Sequence, residues 1–198
     1  MMKLYWCPKT RAIRALWMLE ELGVPYERVL VDIRNPAAKA DPAFRAVSPM
    51  GKVPALEDGA ARLWDSGAIC AYLADQYPKA GLAPSIGSAD RAAYLQWLLY
   101  TNSVIEPAMG EKFSNAPASA ASHGWGSFEL MLGVLREALP RDPWILGERF
   151  SAADVLLGTA CRFMRQFKIL DNEPVLSGYA DRCMARPALQ RAMALEVL

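Results

Sequence analysis

Histidine is almost missing from this chain, because His123 is its only one. A Ser-His-Asp triad needs a histidine between its two partners, and catalytic zinc sites usually take two or three. The four cysteines, Cys7, Cys70, Cys161 and Cys183, lie far apart and form no Cys-x-x-Cys pair. The sequence therefore predicts no metal site and no local dithiol, and its free thiols are typical of a reducing compartment.

An excess of charge and a long apolar run are missing as well. Lysine and arginine total 22 against 21 acidic residues, so no strong basic field predicts a nucleic-acid or membrane partner. No uninterrupted apolar stretch is long enough to span a bilayer, and the first residues lack the pattern of a signal peptide. We therefore expect a cytoplasmic, unprocessed protein with a small-molecule partner.

The first part of the chain alternates strand and helix patterns. Residues 4–6 form a β-prone run, and apolar residues then recur at helical spacing over 13–22, before Gly23. Residues 26–33 contain the β-branched and apolar side chains of a second strand. These segments predict a βαβ unit.

A second group of elements follows an irregular stretch. Residues 35–48 are rich in alanine, proline and aspartate and predict at most a short helix. Asp58-Gly59 is typical of a hairpin turn between two short strands, and Ser66 begins a helical pattern that runs to about residue 77. The order βαβ-ββα predicts an α/β thioredoxin-like N-terminal domain with a four-stranded mixed sheet.

The rest of the chain is helical in pattern. Residues 78–88 contain two prolines and two glycines, which is the composition of a linker. An all-α C-terminal domain is predicted beyond it, with a loop at 116–121. The predicted helices cover 89–113, 125–139, 152–167 and 175–194, and the predicted domains are 1–77 and 89–198 with the linker 78–88 between them.

Val53-Pro54 is the first motif that points to chemistry. Proline follows a β-branched residue at the start of a strand, a position that tolerates the missing N–H. If the peptide bond is cis, the backbone N–H and C=O of Val53 face outward and can pair with an extended peptide ligand. The alternative is an ordinary trans proline, which is the commoner state.

Asp65-Ser66 is the second motif, at the point where a strand passes into a helix. Backbone N–H groups at a helix start bind carboxylates. Ser66 can hold an α-carboxylate with its N–H and hydroxyl, while Asp65 takes an ammonium. The alternative is a plain helix cap.

Together these motifs resemble the glutathione S-transferase superfamily of the cytosolic, bacterial type, which carries a cis-proline loop and an acidic-Ser dipeptide in this order. Residues 147–154 also resemble the family's helix-capping segment, with Ser151 and Asp154 in a capping box. The resemblance implies a homodimer that uses glutathione as cosubstrate. The glutathione-binding residues that it implies are Lys52, Val53, Pro54, Asp65 and Ser66.

The loop after the first strand would meet the glutathione sulfur. Counting four back from Arg14, Thr10 matches the hydroxyl of the serine-type classes, whereas Cys7 matches the thiol of the omega-like classes. The cysteine of the bacterial beta class falls on Arg11, whose guanidinium would favour a thiolate. We favour Thr10 and Arg11 over Cys7, although Thr10 is also a natural helix cap and Cys7 a natural buried apolar residue.

The resemblance also implies a pocket for an electrophile on the first C-terminal helix, although helical aromatic residues are often core. It implies conjugation of glutathione to small hydrophobic electrophiles, as in detoxification. The alternatives are a glutathione-dependent thiol transferase or reductase using Cys7 and a non-catalytic glutathione-binding regulatory relative. The predicted pocket residues are Trp97, Tyr100, Thr101, Glu106 and Phe113.

Overall fold

The computed structural model describes residues 1–114, 122–139 and 143–196. The chain forms two compact units, one comprising Met1–Ala80 together with the segment from Arg186 onward, and one comprising Gly81–Ala185. The loop predicted at 116–121 lies outside the described residues.

The first unit contains the predicted four-stranded mixed sheet, with strands in the order β2-β1-β3-β4. Strands β1 and β2 are parallel, while β3 is antiparallel to both of its neighbours. A short two-residue turn joins β3 to β4. The strands are β1 Lys3–Trp6, β2 Glu27–Leu30, β3 Ala55–Asp58 and β4 Ala61–Trp64.

Helix α1, Ala12–Leu22, follows β1 and ends where the sequence predicts. Gly23 adopts a left-handed conformation with φ 64°, and its N–H donates to the Leu19 carbonyl over 3.0 Å. Glycine suits this position because a Cβ disfavours positive φ. The stop signal of α1 is therefore a backbone requirement.

Two short helices occupy the stretch predicted as irregular, so that prediction is wrong. They are α2, Pro36–Ala40, and α3, Pro42–Val47. Asn35 and Asp41 cap them by accepting from backbone N–H groups two and three residues later, each over 2.9 Å. A proline at the first helical position then costs nothing, because its N–H would have no partner there.

Helix α4, Ser66–Gln76, completes the N-terminal series, followed by a 3₁₀ turn at Pro78–Ala80. Helix α3 covers one part of the sheet with Phe44, whose ring centroid lies 5.7 Å from that of Tyr5. Both side chains are buried. Tyr5 is therefore a core residue, in agreement with its position inside the first strand.

The second unit is helical in its described part, which confirms the predicted all-α composition. The helices of the second unit are α5 Arg91–Tyr100, α6 Glu106–Ser114, α7 Phe128–Ala138, α8 Ala152–Gln166 and α9 Pro174–Met184.

Within the described ranges of the whole chain, no helix has the length and apolar character needed to cross a membrane.

A π-helical turn, Thr101–Ile105, joins α5 to α6 within the helix predicted over 89–113. The Glu106 N–H reaches back five residues to the Thr101 carbonyl. Pro107 follows directly, and proline lacks the N–H for the usual bond four residues back. The wider turn accommodates this proline, as π-helical bulges commonly do at irregularities within helices.

The predicted capping box lies at the start of α8. Asp154 is completely buried, and its side chain accepts from the Ser151 N–H and hydroxyl, each over 2.9 Å. The Tyr179 hydroxyl and the Ile145 N–H donate to the other oxygen of the same carboxylate, each over 2.8 Å. Four donors thus compensate one buried carboxylate, which ties α8 to α9 and the preceding loop.

The predicted helix over 175–194 is wrong as a single helix, because Pro187 divides it into α9 and α10, Pro187–Ala194. Arg186, the residue before the proline, is extended with ψ 127°, as the proline ring favours. Helix α10 groups with the first unit, whereas the predicted domain limits place it in 89–198. Arg186 and Arg191 of this segment bind α1.

Candidate active site

The register of the sheet brings the predicted site segments to one edge. Ala55 at the start of β3 lies opposite Tyr5 in β1 and opposite Trp64 at the end of β4. Because β3 is antiparallel to both strands, its beginning shares an edge with the ends of β1 and β4. The segments at that edge are residues 7–10, 53–54 and 65–66.

The Val53-Pro54 peptide bond is cis, as the family resemblance implies. Val53 is half-buried, and in the described part of the chain neither its N–H nor its C=O takes part in a hydrogen bond. An extended ligand can therefore pair with both groups as an added strand would.

Ser48 holds the loop before this bond, a role that sequence reasoning missed. Its buried hydroxyl donates to the Lys52 carbonyl over 2.8 Å and accepts from the Lys52 N–H over 3.1 Å. Gly51 lies inside this loop with φ 63°, and a Cβ there would lie 2.6 Å from a guanidinium nitrogen of Arg45. The loop thus leaves the Lys52 side chain exposed beside Val53.

Asp65 caps α4, which is the structural role given above as the alternative to ligand binding. One carboxylate oxygen, Oδ1, accepts from the Gly67 N–H over 2.8 Å and from the Ala68 N–H over 3.2 Å. Asp65 itself has φ 84°, which is unusual for a residue with a side chain. This conformation turns the strand sharply into the helix and directs the start of α4 toward the site edge.

Ser66 keeps two donors available at this helix start. In the described residues its backbone N–H has no acceptor, although the next two N–H groups are taken by Asp65. Its Oγ accepts from Nη1 of Arg14 over 3.2 Å, and its hydroxyl proton has no acceptor among the described residues. Two adjacent donors at a helix N-terminus match a carboxylate.

Arg14 is a residue of the site edge whose role the sequence did not predict. The structure places it on α1 with its side chain 1 % exposed and in contact with Ser66. A signal was present, because Arg14 interrupts the apolar positions of α1 and shares a helix face with Trp17 and Met18.

Thr10 acts as a cap in the structure. Its hydroxyl donates to the Cys7 carbonyl over 2.7 Å and accepts from the Ala12 N–H over 3.1 Å. The proton of that hydroxyl is therefore already engaged, while the Thr10 backbone N–H has no acceptor in the described residues. The neighbouring Arg11 is exposed at the start of α1.

Cys7 is 4 % exposed, directly after β1. The other three cysteines are also free and buried, and burial raises the pKa of Cys70 and of Cys161 to about 12. Over the ranges that the structure describes, no group of three or more His, Cys, Asp or Glu side chains is placed to hold a metal ion.

The segment after α10 reaches the first loop, which the sequence did not predict. Glu196 accepts from the Lys9 N–H over 2.9 Å. Lys9 has φ 58°, a left-handed conformation that costs energy for a residue with a Cβ. This carboxylate contact therefore helps to hold the loop in its turn.

The candidate pocket residues in the second unit differ in exposure. Thr101 is completely buried, so its side chain does not line an open surface. Trp97 and Tyr100 are half-buried, with ring centroids 5.2 Å apart, and burial raises the pKa of Tyr100. Glu106 is also half-buried. Three of the predicted residues thus combine partial exposure with an aromatic or acidic group.

Phe113 has a neighbour that sequence reasoning missed. Its ring is 4.8 Å from that of Phe167, with the rings in an edge-to-face arrangement. The side chains are 50 % and 55 % exposed. An exposed aromatic pair of this kind offers an apolar contact surface for a small molecule.

Two family descriptions match the sequence. Residues 6–76 match the N-terminal domain of glutathione S-transferases, and residues 117–194 match their C-terminal domain. Glutathione S-transferase GstA of Escherichia coli O157:H7 is 30% identical, covering 100% of this chain and 100% of the relative. Disulfide-bond oxidoreductase YfcG of Escherichia coli K12 is 29% identical, covering 98% of this chain and 94% of the relative.

Solved structures have the same fold. A sphingomonad glutathione S-transferase complexed with glutathione has a TM-score of 0.82 and 32% sequence identity, covering 99% of each chain. Its similarity extends over both units described above. The sequence match, the thioredoxin-like sheet and the helical second unit agree, and the chain belongs to the glutathione S-transferase superfamily.

Proposed function

We propose that this protein conjugates the thiol of glutathione to small hydrophobic electrophiles. The observation that carries the proposal is the pair of donors on Ser66, at the sheet edge that also presents the backbone of Val53, both without a partner among the described residues. A relative of this fold is solved with glutathione, which is the ligand class that these groups fit.

Glutathione then lies along the site edge. Its γ-glutamyl α-carboxylate accepts from the Ser66 N–H and hydroxyl, and its ammonium faces Asp65. Its cysteinyl backbone pairs with Val53 beside the cis-Pro54, as an extended peptide adds to a strand. The exposed Lys52 contributes positive charge to the rest of the tripeptide, which carries a second carboxylate.

The sulfur is activated by the first loop. The Thr10 hydroxyl is engaged by Cys7, so we assign sulfur stabilisation to the Thr10 backbone N–H and to the positive charge of Arg11. Both favour the thiolate over the thiol and so lower the thiol pKa. The thiol releases its proton to solvent, the sulfur attacks the electrophilic carbon, and with an aryl halide the halide leaves.

The electrophile contacts the aromatic side chains of the second unit. Phe113 and Phe167 supply apolar area, and Trp97 and Tyr100 add half-buried rings on α5. Glu106 is the acidic member of this set. Thr101 is fully buried, and its side chain does not contact a ligand at the surface.

Glutathione affinity tests the site directly. In Ser66→Ala one hydrogen bond to a charged group is lost, so binding should weaken by about 1.5–3 kcal/mol in titration calorimetry. Ser88→Ala is a suitable control, since Ser88 is exposed in the second unit. Equal glutathione affinity in wild type and Ser66→Ala would show that the carboxylate binds elsewhere.

Disulfide reduction is the second candidate function, because a relative of almost equal identity is a disulfide-bond oxidoreductase. The same glutathione site can serve this reaction, in which two glutathione thiols reduce one disulfide to two thiols and form oxidised glutathione. Parallel assays with an aryl halide and with a small dialkyl disulfide distinguish the two. Glutathione binding with neither activity would indicate a non-catalytic relative.

The wider setting follows from the same proposal. A homodimer, a cytoplasmic location and a role in detoxification suit a protein that consumes cellular glutathione.

A further inference from the structure

Arg14 lies beneath the proposed carboxylate site. Its side chain is 1 % exposed, and its Nη1 donates to the Ser66 Oγ over 3.2 Å. The two residues are 52 positions apart, so the contact joins α1 to the start of α4.

The chemistry of the two groups fixes the direction of this hydrogen bond. A guanidinium carries only donors, whereas a serine hydroxyl has one proton and two lone pairs. Ser66 must therefore accept from Arg14, and its own proton has to point away from the guanidinium. In the described residues no other group accepts that proton.

The backbone at the start of α4 also favours a bound anion. Asp65 takes the N–H groups of Gly67 and Ala68, which leaves the Ser66 N–H as the available donor of the first turn. The buried charge of Arg14 adds to the positive end of the α4 dipole. All of these features favour an anion in contact with Ser66.

We propose that Arg14 is a positioning residue that orients the Ser66 hydroxyl toward the α-carboxylate of the γ-glutamyl group. Arg14 does not touch the ligand and acts through Ser66. This inference rests on the proposed glutathione site, and it makes the recognition of the α-carboxylate depend on a residue of α1. A purely structural arginine would not affect one carboxylate of the ligand selectively.

The test compares glutathione with γ-aminobutyryl-cysteinylglycine, which lacks the α-carboxylate and keeps the amine. Binding of both is measured by calorimetry for wild type, Ser66→Ala and Arg14→Met. Wild type should bind glutathione at least roughly tenfold more tightly than the analogue, as expected for hydrogen bonds to a charged group. In both variants that ratio should fall severalfold.

A second pair of variants distinguishes a change in the Ser66 hydrogen bond from a loss of folding. Arg14→Gln keeps a polar group but can accept as well as donate, so it no longer fixes the Ser66 proton, and the ratio should again fall. Arg14→Lys keeps a charged donor and should restore part of the ratio. Arg34→Met, an exposed arginine of the same unit, should leave the ratio unchanged.

The outcomes separate this inference from the proposed function. A reduced ratio in Ser66→Ala with an undiminished ratio in folded Arg14→Met or Arg14→Gln overturns the role of Arg14 and keeps the glutathione site. A wild type that does not prefer glutathione over the analogue overturns both. Additivity also decides, because Arg14→Met should add little to the loss in a Ser66→Ala background.

Discussion

The loop after β1 contains two side chains that could act on the glutathione sulfur. The Thr10 hydroxyl donates a hydrogen bond to the Cys7 carbonyl and stabilises the turn before α1. The Cys7 thiol is almost completely buried. A nucleophilic thiol must be accessible to its substrate, so the loop is better suited to present backbone N–H and charge than a protein nucleophile.

Substitution of Cys7 tests this assignment. Cys7→Ser should retain conjugation of a generic aryl halide, because the attacking sulfur belongs to glutathione. Initial rates of the two proteins should agree within a few-fold. A covalent glutathione adduct on Cys7 in the intact mass, together with loss of all turnover in Cys7→Ser, would instead establish thiol-transfer chemistry.

Arg11 should be visible in the pH dependence of the reaction. A nearby positive charge lowers the thiol pKa, so its removal in Arg11→Gln should raise the pH at which half of the bound thiol is ionised. For an exposed guanidinium we expect an upward shift of roughly half a unit to one unit in the profile of kcat/KM. Arg34→Gln serves as control, and an unshifted profile in Arg11→Gln would exclude the charge effect.

At the level of elements, prolines decide where the sequence patterns fail. Pro107 and Pro187 lie inside long apolar periodicities, which are the stronger signal when a sequence is read by spacing alone. A π turn precedes the first, and α9 ends shortly before the second. Pro36 and Pro42 have the opposite effect, since each follows a capping side chain and begins a helix.

Helix α10 depends on ion pairs with α1 that no local pattern reveals. Arg186 binds the Glu21 carboxylate through its Nε and Nη2 atoms, over 2.6 and 2.7 Å, and Arg191 binds Glu20 over 2.9 Å. The first pair is the more buried, with side chains 26 % and 9 % exposed against 55 % and 18 %. The two arginines therefore offer a matched comparison.

Thermal and urea unfolding should separate these pairs. Arg186→Gln leaves the buried Glu21 carboxylate without its charged partner and should reduce the free energy of unfolding by about 1–3 kcal/mol. Arg191→Gln should cost about 0–1 kcal/mol, as exposed pairs do. Equal losses in the two variants would mean that burial does not set the strength of this contact.

For the molecule as a whole, exposed apolar side chains are the evidence for a partner. Leu95 and Leu99 lie one turn apart on α5 and are 41 % and 58 % exposed. In the first unit Met50 and Trp64 are 67 % and 41 % exposed. Exposed apolar side chains of this kind are typical of interaction surfaces, and the homodimer proposed above would cover them.

Solution mass tests the dimer. Wild type should scatter X-rays as a homodimer at micromolar concentration, and Leu99→Glu should shift it toward the monomer because a charge would be buried in the interface. Leu130→Glu is the control, since Leu130 is 60 % exposed on α7. A monomer mass for the wild-type protein would contradict the prediction.

The sequence predicts the fold class of this molecule well and its long-range contacts poorly. The order βαβ-ββα along the chain and the capping box of Asp154 follow from short local patterns, the cis bond before Pro54 follows from the family resemblance, and the structure confirms all three. The Arg14 contact with Ser66 and the Glu196 contact with Lys9 join residues 52 and 187 positions apart. No local periodicity encodes such contacts, because they depend on how finished elements pack.

The return of α10 to α1 also sets an order of events during synthesis. Arg186 follows Glu21 by 165 residues, so a ribosome needs roughly 8 to 33 seconds to add the arginine after the glutamate. All of Gly81–Ala185 is made within that interval. The helical unit can therefore fold while the nascent thioredoxin-like unit still lacks its last helix, and the Glu196 contact that supports the first loop forms only when translation is nearly over.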